Sequence, residues 1–299
     1  MTTTTVHVPV LPAEILELGQ PSANETWVDG TAGGGGHCLL LRQHLGTTGR
    51  LLAIDRDPAA TQRLAALLGG PQTVVRHGSY DATAELLREL QWPAPAGILL
   101  DLGLSSDQLA DRQRGFSFQT DGELDMRFDT TSGEPAWEWL NRVDEKTLAD
   151  TIYRFGEERF SRRIAKRVVD TRKSQPIRTA SQLRELITRS VPAGRPTQHG
   201  RRHGRVDPAT RTFQALRIAV NDELSILERA LQRLPDCLAA GGKLLIISFH
   251  SLEDRLVKYA FRGDERLHIV TRRPVQASDE EVARNPRARS AKLRVAMRK

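Results

Sequence analysis

Four consecutive glycines at positions 33–36 lie between Asp29 and His37. A glycine-rich turn lets a ligand approach the backbone closely, and the N–H groups that open the following helix can bind carboxylate or phosphate oxygens. Asp55 ends the next apolar run, where a carboxylate can accept hydrogen bonds from both hydroxyls of a ribose. The glycine turn and this acid together predict a site for a cofactor that contains a nucleoside.

The glycine turn alone does not distinguish NAD from S-adenosylmethionine, since both cofactors use one. Asp29 precedes the glycines, and its charge would repel a pyrophosphate but attract the ammonium group of S-adenosylmethionine. No Gly-Lys-Ser/Thr follows the turn, which excludes a Walker-type phosphate loop. The pattern favours S-adenosylmethionine, with a dehydrogenase as the alternative.

Two further side chains near this turn allow two interpretations each. His37 would either cap and pack the helix start or contact the amino-acid end of the cofactor. Tyr80, after the third apolar run, would either stack on an adenine or fill the core.

Short apolar runs alternate with helical patterns over the first hundred residues. This alternation predicts an α/β fold with a parallel sheet that is covered on both faces. Residues 107–206 contain no convincing strand, and the strand pattern resumes after a long amphipathic helix predicted over 208–234. We therefore predict a sheet domain in two parts, 1–106 and 207–299, with a helical insertion at 107–206. The predicted strands are 26–29, 50–55, 73–75, 97–101, 243–249, 267–271 and 292–297.

The composition is that of a globular protein with a basic surplus. Hydrophobic residues make up 39% of the 299 residues, and the formal net charge is +7. A positive charge favours nucleic acid as a partner, and an anionic membrane less so. The two cysteines form neither a disulfide framework nor a zinc pattern, and no secretory signal or long apolar span is visible, so we predict a cytoplasmic protein.

Basic residues cluster in four segments: 159–167, 195–205, 272–273 and 287–294. The second is a Gly/Arg-rich stretch without helical periodicity, which suits phosphate contact. We predict that Arg195, Arg201, Arg202 and Arg205 bind RNA. The other three clusters would be either RNA contacts or solvated faces.

Sequence motifs throughout the chain resemble those of one enzyme family. The chain resembles the bacterial cytosine-N4 methyltransferases of small-subunit ribosomal RNA. The motifs that carry the resemblance include DGTAGGGGH from Asp29, LAIDRDP from Leu52, DLGLSSDQL from Asp101, RGFSF from Arg114, GEERF from Gly156, TRTFQALRI from Thr210, ISFHSLEDR from Ile247 and NPRARS from Asn285.

This resemblance implies a class I methyltransferase (Rossmann-like) fold, a mostly parallel seven-stranded sheet with an inserted all-helical domain. It implies methylation of the exocyclic amine of cytidine 1402 in the decoding region of 16S ribosomal RNA, within the small subunit or a late assembly intermediate. It also assigns cofactor contacts, with Tyr80 standing where the family usually has Phe: these are Gly35, Gly36, His37, Asp55, Tyr80, Asp101 and Gln108.

The catalytic residues are not fixed by the resemblance. Many amine methyltransferases place an Asp/Asn-Pro-Pro-aromatic motif after the fourth strand, but here that position holds Asp101 to Ser106. Our hypothesis is that Asp101, Ser105 and Ser106 polarise the amine. No metal site is predicted, because the Asp121-x-Glu123-x-Asp125 segment lacks the glycine and closing glutamate of a calcium loop. The alternatives are a methyltransferase for another RNA or DNA, or a non-catalytic RNA-binding or assembly protein.

Overall fold

The computed structural model describes residues 9–118, 122–192 and 207–299. They form two compact units: Met1–Ser106 with Leu224–Lys299, and Asp107–Glu223. The strands are β1 Thr26–Asp29, β2 Arg50–Asp55, β3 Thr73–His77, β4 Gly97–Asp101, β5 Lys243–Ser248, β6 Leu267–Ile269 and β7 Lys292–Arg298. In the described part of the chain the α-helices are α1 Pro12–Gly19, α2 Gly36–His44, α3 Pro58–Leu68, α4 Thr83–Glu89, α5 Ser106–Ala110, α6 Ala136–Arg142, α7 Glu145–Gly156, α8 Ser161–Arg172, α9 Ala180–Ser190, α10 Ala209–Asn221, α11 Glu223–Cys237, α12 Ser251–Gly263 and α13 Asp279–Arg284.

The first unit is built on one seven-stranded sheet in the order β3-β2-β1-β4-β5-β7-β6. Strands β1 to β5 pair in parallel, whereas β7 is antiparallel to both β5 and β6. This arrangement confirms the predicted mostly parallel sheet of the class I methyltransferase fold. It also confirms the two short C-terminal runs as an antiparallel pair.

Successive side chains of each strand point to opposite sides of the sheet, and both faces are buried. Leu244 and Ile246 join one apolar cluster, to which α11 and α12 contribute side chains. Leu245 and Ile247 join the other, to which α1 and α2 contribute. The continuous apolar strands are thus explained by burial on two sides.

Helix ends are fixed by side chains that the sequence identifies. Asp57 caps α3 by accepting from the Ala59 N–H, and Pro58 occupies the first turn. Thr179 and Gln182 form a capping box at the start of α9.

The amphipathic run over 208–234 is two helices instead of the predicted single one. Helix α10 ends at Asp222, whose backbone is left-handed at φ 51°, and α11 then continues through Pro235 to Cys237. Helix α10 packs on α7, where a Cβ on Gly156 would lie 2.5 Å from the Arg211 carbonyl oxygen. The second unit therefore extends to Glu223, beyond the predicted boundary at 206, because α10 belongs to the helical layer.

The second unit holds its longest loop with one buried amide. Asn221 donates to the Met126 carbonyl and accepts from the Phe128 N–H at 2.6 Å. No strand occurs among the residues of this unit that the structure describes, apart from one isolated bridge between Glu123 and Thr179. Within the described ranges, no helix is long and apolar enough to cross a membrane.

Candidate cofactor and methyl-transfer site

The carboxyl ends of β1, β2 and β4 carry Asp29, Asp55 and Asp101 at one edge of the sheet. Parallel strands in the central order β2-β1-β4 bring these three ends together. The glycine turn connects β1 to α2 at the same edge. The acids and the glycines that the sequence singles out are therefore neighbours in space.

Two glycines of the turn adopt left-handed backbone conformations, Gly33 at φ 47° and Gly35 at φ 85°. A Cβ on Gly35 would lie 2.6 Å from Leu64 Cδ2, so only glycine fits there. A Cβ on Gly33 would lie 3.5 Å from Ser105 Cβ and 4.0 Å from Asp55 Oδ2. A side chain at position 33 would project between those two groups, into the space that the predicted cofactor needs.

Asp29 holds the turn from inside the protein. Its side chain is 1% exposed, and it accepts hydrogen bonds from the Thr31 N–H and from the Cys38 thiol, both at 3.1 Å. Burial raises the pKa of Asp29, and the neighbouring His37 opposes this shift. Since both oxygens already have protein partners, Asp29 shapes the turn, and its charge contributes to the field around it.

Asp55 has both oxygens beside the turn. One accepts from the Gly33 N–H at 2.6 Å, and the other accepts from the Asp57 N–H at 2.8 Å. Burial raises the pKa of Asp55 to about 6 although these bonds favour the ionised form. Each carboxylate oxygen has a second lone pair, so the site retains acceptor capacity for ribose hydroxyls.

His37 and Asp101 face each other, which sequence reasoning did not establish. His37 Nε2 lies 3.5 Å from Asp101 Oδ2, and His37 is 4% exposed. Burial lowers the pKa of His37, but the Asp101 and Asp29 carboxylates raise it more, so its net shift is upward.

Among the described residues, buried His37 Nδ1 and Asp101 Oδ1 have no hydrogen-bond partner, and His37 Nε2 has only the 3.5 Å approach to Asp101 Oδ2. Buried polar groups are normally paired, so each orphan atom indicates a missing ligand group or water. An imidazole and the first N–H groups of α2 suit a carboxylate. The site thus fits the carboxylate group of S-adenosylmethionine.

The loop after β4 is held by residues that the sequence analysis did not select. The Asp101 N–H donates to Thr31 Oγ1 at 2.6 Å, which ties the end of β4 to the glycine turn. The Arg287 guanidinium donates to the Leu104 carbonyl. Thr31 and Arg287 both lie inside motifs of the family resemblance. Their place in those motifs was the signal in the sequence that could have identified them.

The remaining predicted residues have varied positions. Tyr80 is buried in an apolar cluster, and its Cβ would be 2.7 Å from a Cβ on Gly30, so it packs directly behind the turn. Ser105 is half-buried beside Gly33, and Ser106 begins α5. Gln108 is buried in α5, within the second unit.

The predicted RNA-binding residues Arg195, Arg201, Arg202 and Arg205 lie outside the described residues.

Comparison with known proteins identifies the family of this chain. Residues 4–299 match the MraW methylase family. A protein from Rhodopirellula baltica named ribosomal RNA small subunit methyltransferase H is 50% identical, and the alignment covers 98% of this chain and 92% of that protein. Proteins of the same name from Synechococcus elongatus and Deinococcus deserti are 46% and 47% identical over 98% of this chain and 94% and 93% of their own lengths. The chain therefore belongs to the MraW methylase family and is a methyltransferase that uses S-adenosylmethionine.

Proposed function

We propose that this chain methylates N4 of cytidine 1402 in 16S ribosomal RNA, in the decoding region of the small subunit or of a late assembly intermediate. Support comes from the relatives, which are named as ribosomal RNA small subunit methyltransferases. The proposed substrate places the reaction in the cytoplasm, where ribosomal subunits are assembled.

The observation that carries this proposal is the orphan oxygen of Asp101. Asp101 ends β4 beside the glycine turn, and its Oδ1 has no hydrogen-bond partner in the part of the chain that the structure describes. An exocyclic amine carries N–H donors that match such an acceptor. Because the amine lone pair is delocalised into the cytosine ring, a hydrogen bond from the amine to a carboxylate increases the electron density on nitrogen.

S-adenosylmethionine, when bound, supplies an electrophilic methyl group on a sulfonium. The residues that would hold it are Gly35, Gly36, His37 and Asp55, with Tyr80 packed behind the turn and Gln108 proposed from the family resemblance. Positioning of two reactants contributes about 7–11 kcal/mol to barrier reduction in favourable cases, so no strong base is required.

Asp101 has two neighbours that prepare it for this role. The Thr31 hydroxyl fixes its backbone, and the His37 imidazole stands next to Oδ2, leaving Oδ1 as the acceptor. Asp101 orients the amine N–H and takes up the proton after transfer. Ser105, in the loop after β4, and Ser106, the first residue of α5, remain proposed contributors to amine binding.

The test uses purified protein, labelled S-adenosylmethionine and small ribosomal subunits from cells that lack the gene. The RNA is digested, and the labelled nucleoside is identified by mass spectrometry. Label in N4-methylcytidine supports the proposal. Label in another nucleoside would overturn the substrate assignment, and equal labelling of protein-free 16S RNA would overturn the requirement for an assembled particle.

A further inference from the structure

A small basic cavity lies at the β6 edge of the sheet, within the first unit. Its volume is about 130 Å³, and its lining comes from α12, β6, the segment that follows β6, and β7. The lining residues are Lys258, Phe261, Arg262, Ile269, Thr271, Arg272 and Arg294. None of the cofactor-site residues takes part in it.

The cavity has a surplus of positive charge. Lys258, Arg262 and Arg272 form no ion pair with any carboxylate in the described parts of the chain. Arg294 is buried and binds Asp254, with Nε 2.7 Å from Oδ1, while Lys292 Nζ lies 3.5 Å from the other Asp254 oxygen. Asp254 is thus already paired with two cations.

The apolar walls favour an anion that can lose its hydration shell on binding. Phe261 is buried and Ile269 half-buried, so the cations stand against apolar surface, where electrostatic attraction is stronger than in bulk water. Burial raises the pKa of Asp254, but Arg294 and Lys292 lower it more, so the net shift is downward and Arg294 keeps its charged partner. The cationic geometry on that side is therefore fixed before a ligand arrives.

An aromatic ring beside Lys258, outside the cavity lining itself, points to a nucleic acid as the source of the anion. Tyr259 is 61% exposed, and Lys258 Nζ lies 5.6 Å from its ring centroid. An exposed ring beside a phosphate site provides a surface on which a base can stack. We propose that this cavity binds one backbone phosphate of the RNA substrate, with a flanking base on Tyr259; this inference rests on the proposed function.

The test compares two double variants that remove equal charge. Lys258→Ala/Arg272→Ala empties the cavity of two cations, and Arg63→Ala/Arg88→Ala removes two exposed arginines of the same unit outside the cavity. Affinity for small subunits from cells that lack the gene, and for protein-free 16S RNA, is measured at several salt concentrations. S-adenosylmethionine affinity is measured as well, because an unchanged value shows that the variant is folded.

We expect the cavity variant to bind RNA about ten-fold more weakly. The slope of log affinity against log salt concentration should become shallower by about one. The control variant should show less than a three-fold change. An exposed charge reversal, Arg272→Glu, should weaken binding at least as much, which provides a second test if the double variant is unstable.

Equal affinities for the cavity and control variants would overturn the proposal. A loss confined to intact subunits, with protein-free RNA bound as before, would assign the cavity to an acidic protein surface and would also overturn it. If the wild type forms N4-methylcytidine and the cavity variant binds RNA as tightly as the wild type, the proposed function stands and the phosphate site alone is wrong. If the wild type neither methylates nor binds the RNA, both proposals fail.

Discussion

Asp101 Oδ2 lies beside His37, and Asp101 Oδ1 has no hydrogen-bond partner among the described residues. In the proposed reaction this free acceptor orients the amine. Asp101→Asn keeps the shape but removes the charge, so we expect kcat at saturating S-adenosylmethionine to fall at least about 100-fold. Single-turnover methyl transfer measures this, with exposed Glu89→Gln as the control. An unchanged rate would remove Asp101 from the chemistry.

Asp55 predicts how cofactor binding depends on pH. Burial raises the pKa of Asp55 to about 6, so in the free protein this carboxyl is protonated below that pH and ionised above it. The ionised form accepts the ribose hydroxyls, so lowering the pH through 6 should weaken binding to the wild type more than binding to Asp55→Asn. Isothermal titration of both proteins from pH 5 to 8 tests this. Asp55→Asn should bind weakly throughout, and parallel pH profiles for the two proteins would contradict the assignment.

The pairing of His37 with Asp101 could not be predicted from the sequence. The two residues are far apart in the chain, and the distance between them depends on the order of β1 and β4 in the sheet. Asp55 and the glycine turn were accessible because their spacing matches a local strand-turn-helix unit. Thr31 holds the backbone of Asp101, and Cys38 holds the carboxylate of Asp29. Many residue types can play such roles, so the sequence does not single these two out.

At the scale of elements, the glycine turn depends on its backbone conformation and on the space around it. Gly35 has φ 85° and little room for a Cβ, whereas Gly241 has φ 76° and no heavy atom within 4 Å of its Cβ position. Gly35→Ala should therefore lower the free energy of unfolding by about 2–4 kcal/mol, from backbone strain and a clash with Leu64. Gly241→Ala should lower it by about 1–2 kcal/mol, from strain alone.

Chemical denaturation of both glycine variants measures this difference. S-adenosylmethionine affinity should fall for Gly35→Ala and remain unchanged for Gly241→Ala, because only the first lies at the cofactor turn. Equal destabilisation by the two substitutions would show that the contact with Leu64 is relieved at little cost.

The sequence predicts the strands better than the long helices. Buried strands appear as short apolar runs, and β1 to β5 were found in this way. The division of 208–234 into α10 and α11 was missed because Asp222 interrupts the helix without interrupting the apolar periodicity. Helix α12 was missed as well: its motif, which begins at Ile247, was assigned to the family resemblance instead of to a helix with a capping box at His250.

For the whole molecule, positive charge and the division into two units bear on the substrate. The net charge of +7 is a property of the entire chain, whereas the basic cavity at the β6 edge is a local arrangement that required the fold to be seen. The Arg272–Arg273 pair was one of three basic clusters that the sequence left open between RNA contact and a solvated face. Only the structure distinguishes Arg272 by the cavity it shares with Lys258 and Arg262.

The central claim is that this methyltransferase modifies N4 of cytidine 1402 through Asp101. The most direct test is mass spectrometry of 16S ribosomal RNA from cells that lack the gene and carry either the wild-type chain or Asp101→Asn at equal protein levels. We predict that the wild type restores the N4-methyl group at that cytidine and that the variant leaves it largely unmethylated. Restoration by both would contradict the role of Asp101, and restoration by neither would contradict the assignment of the substrate.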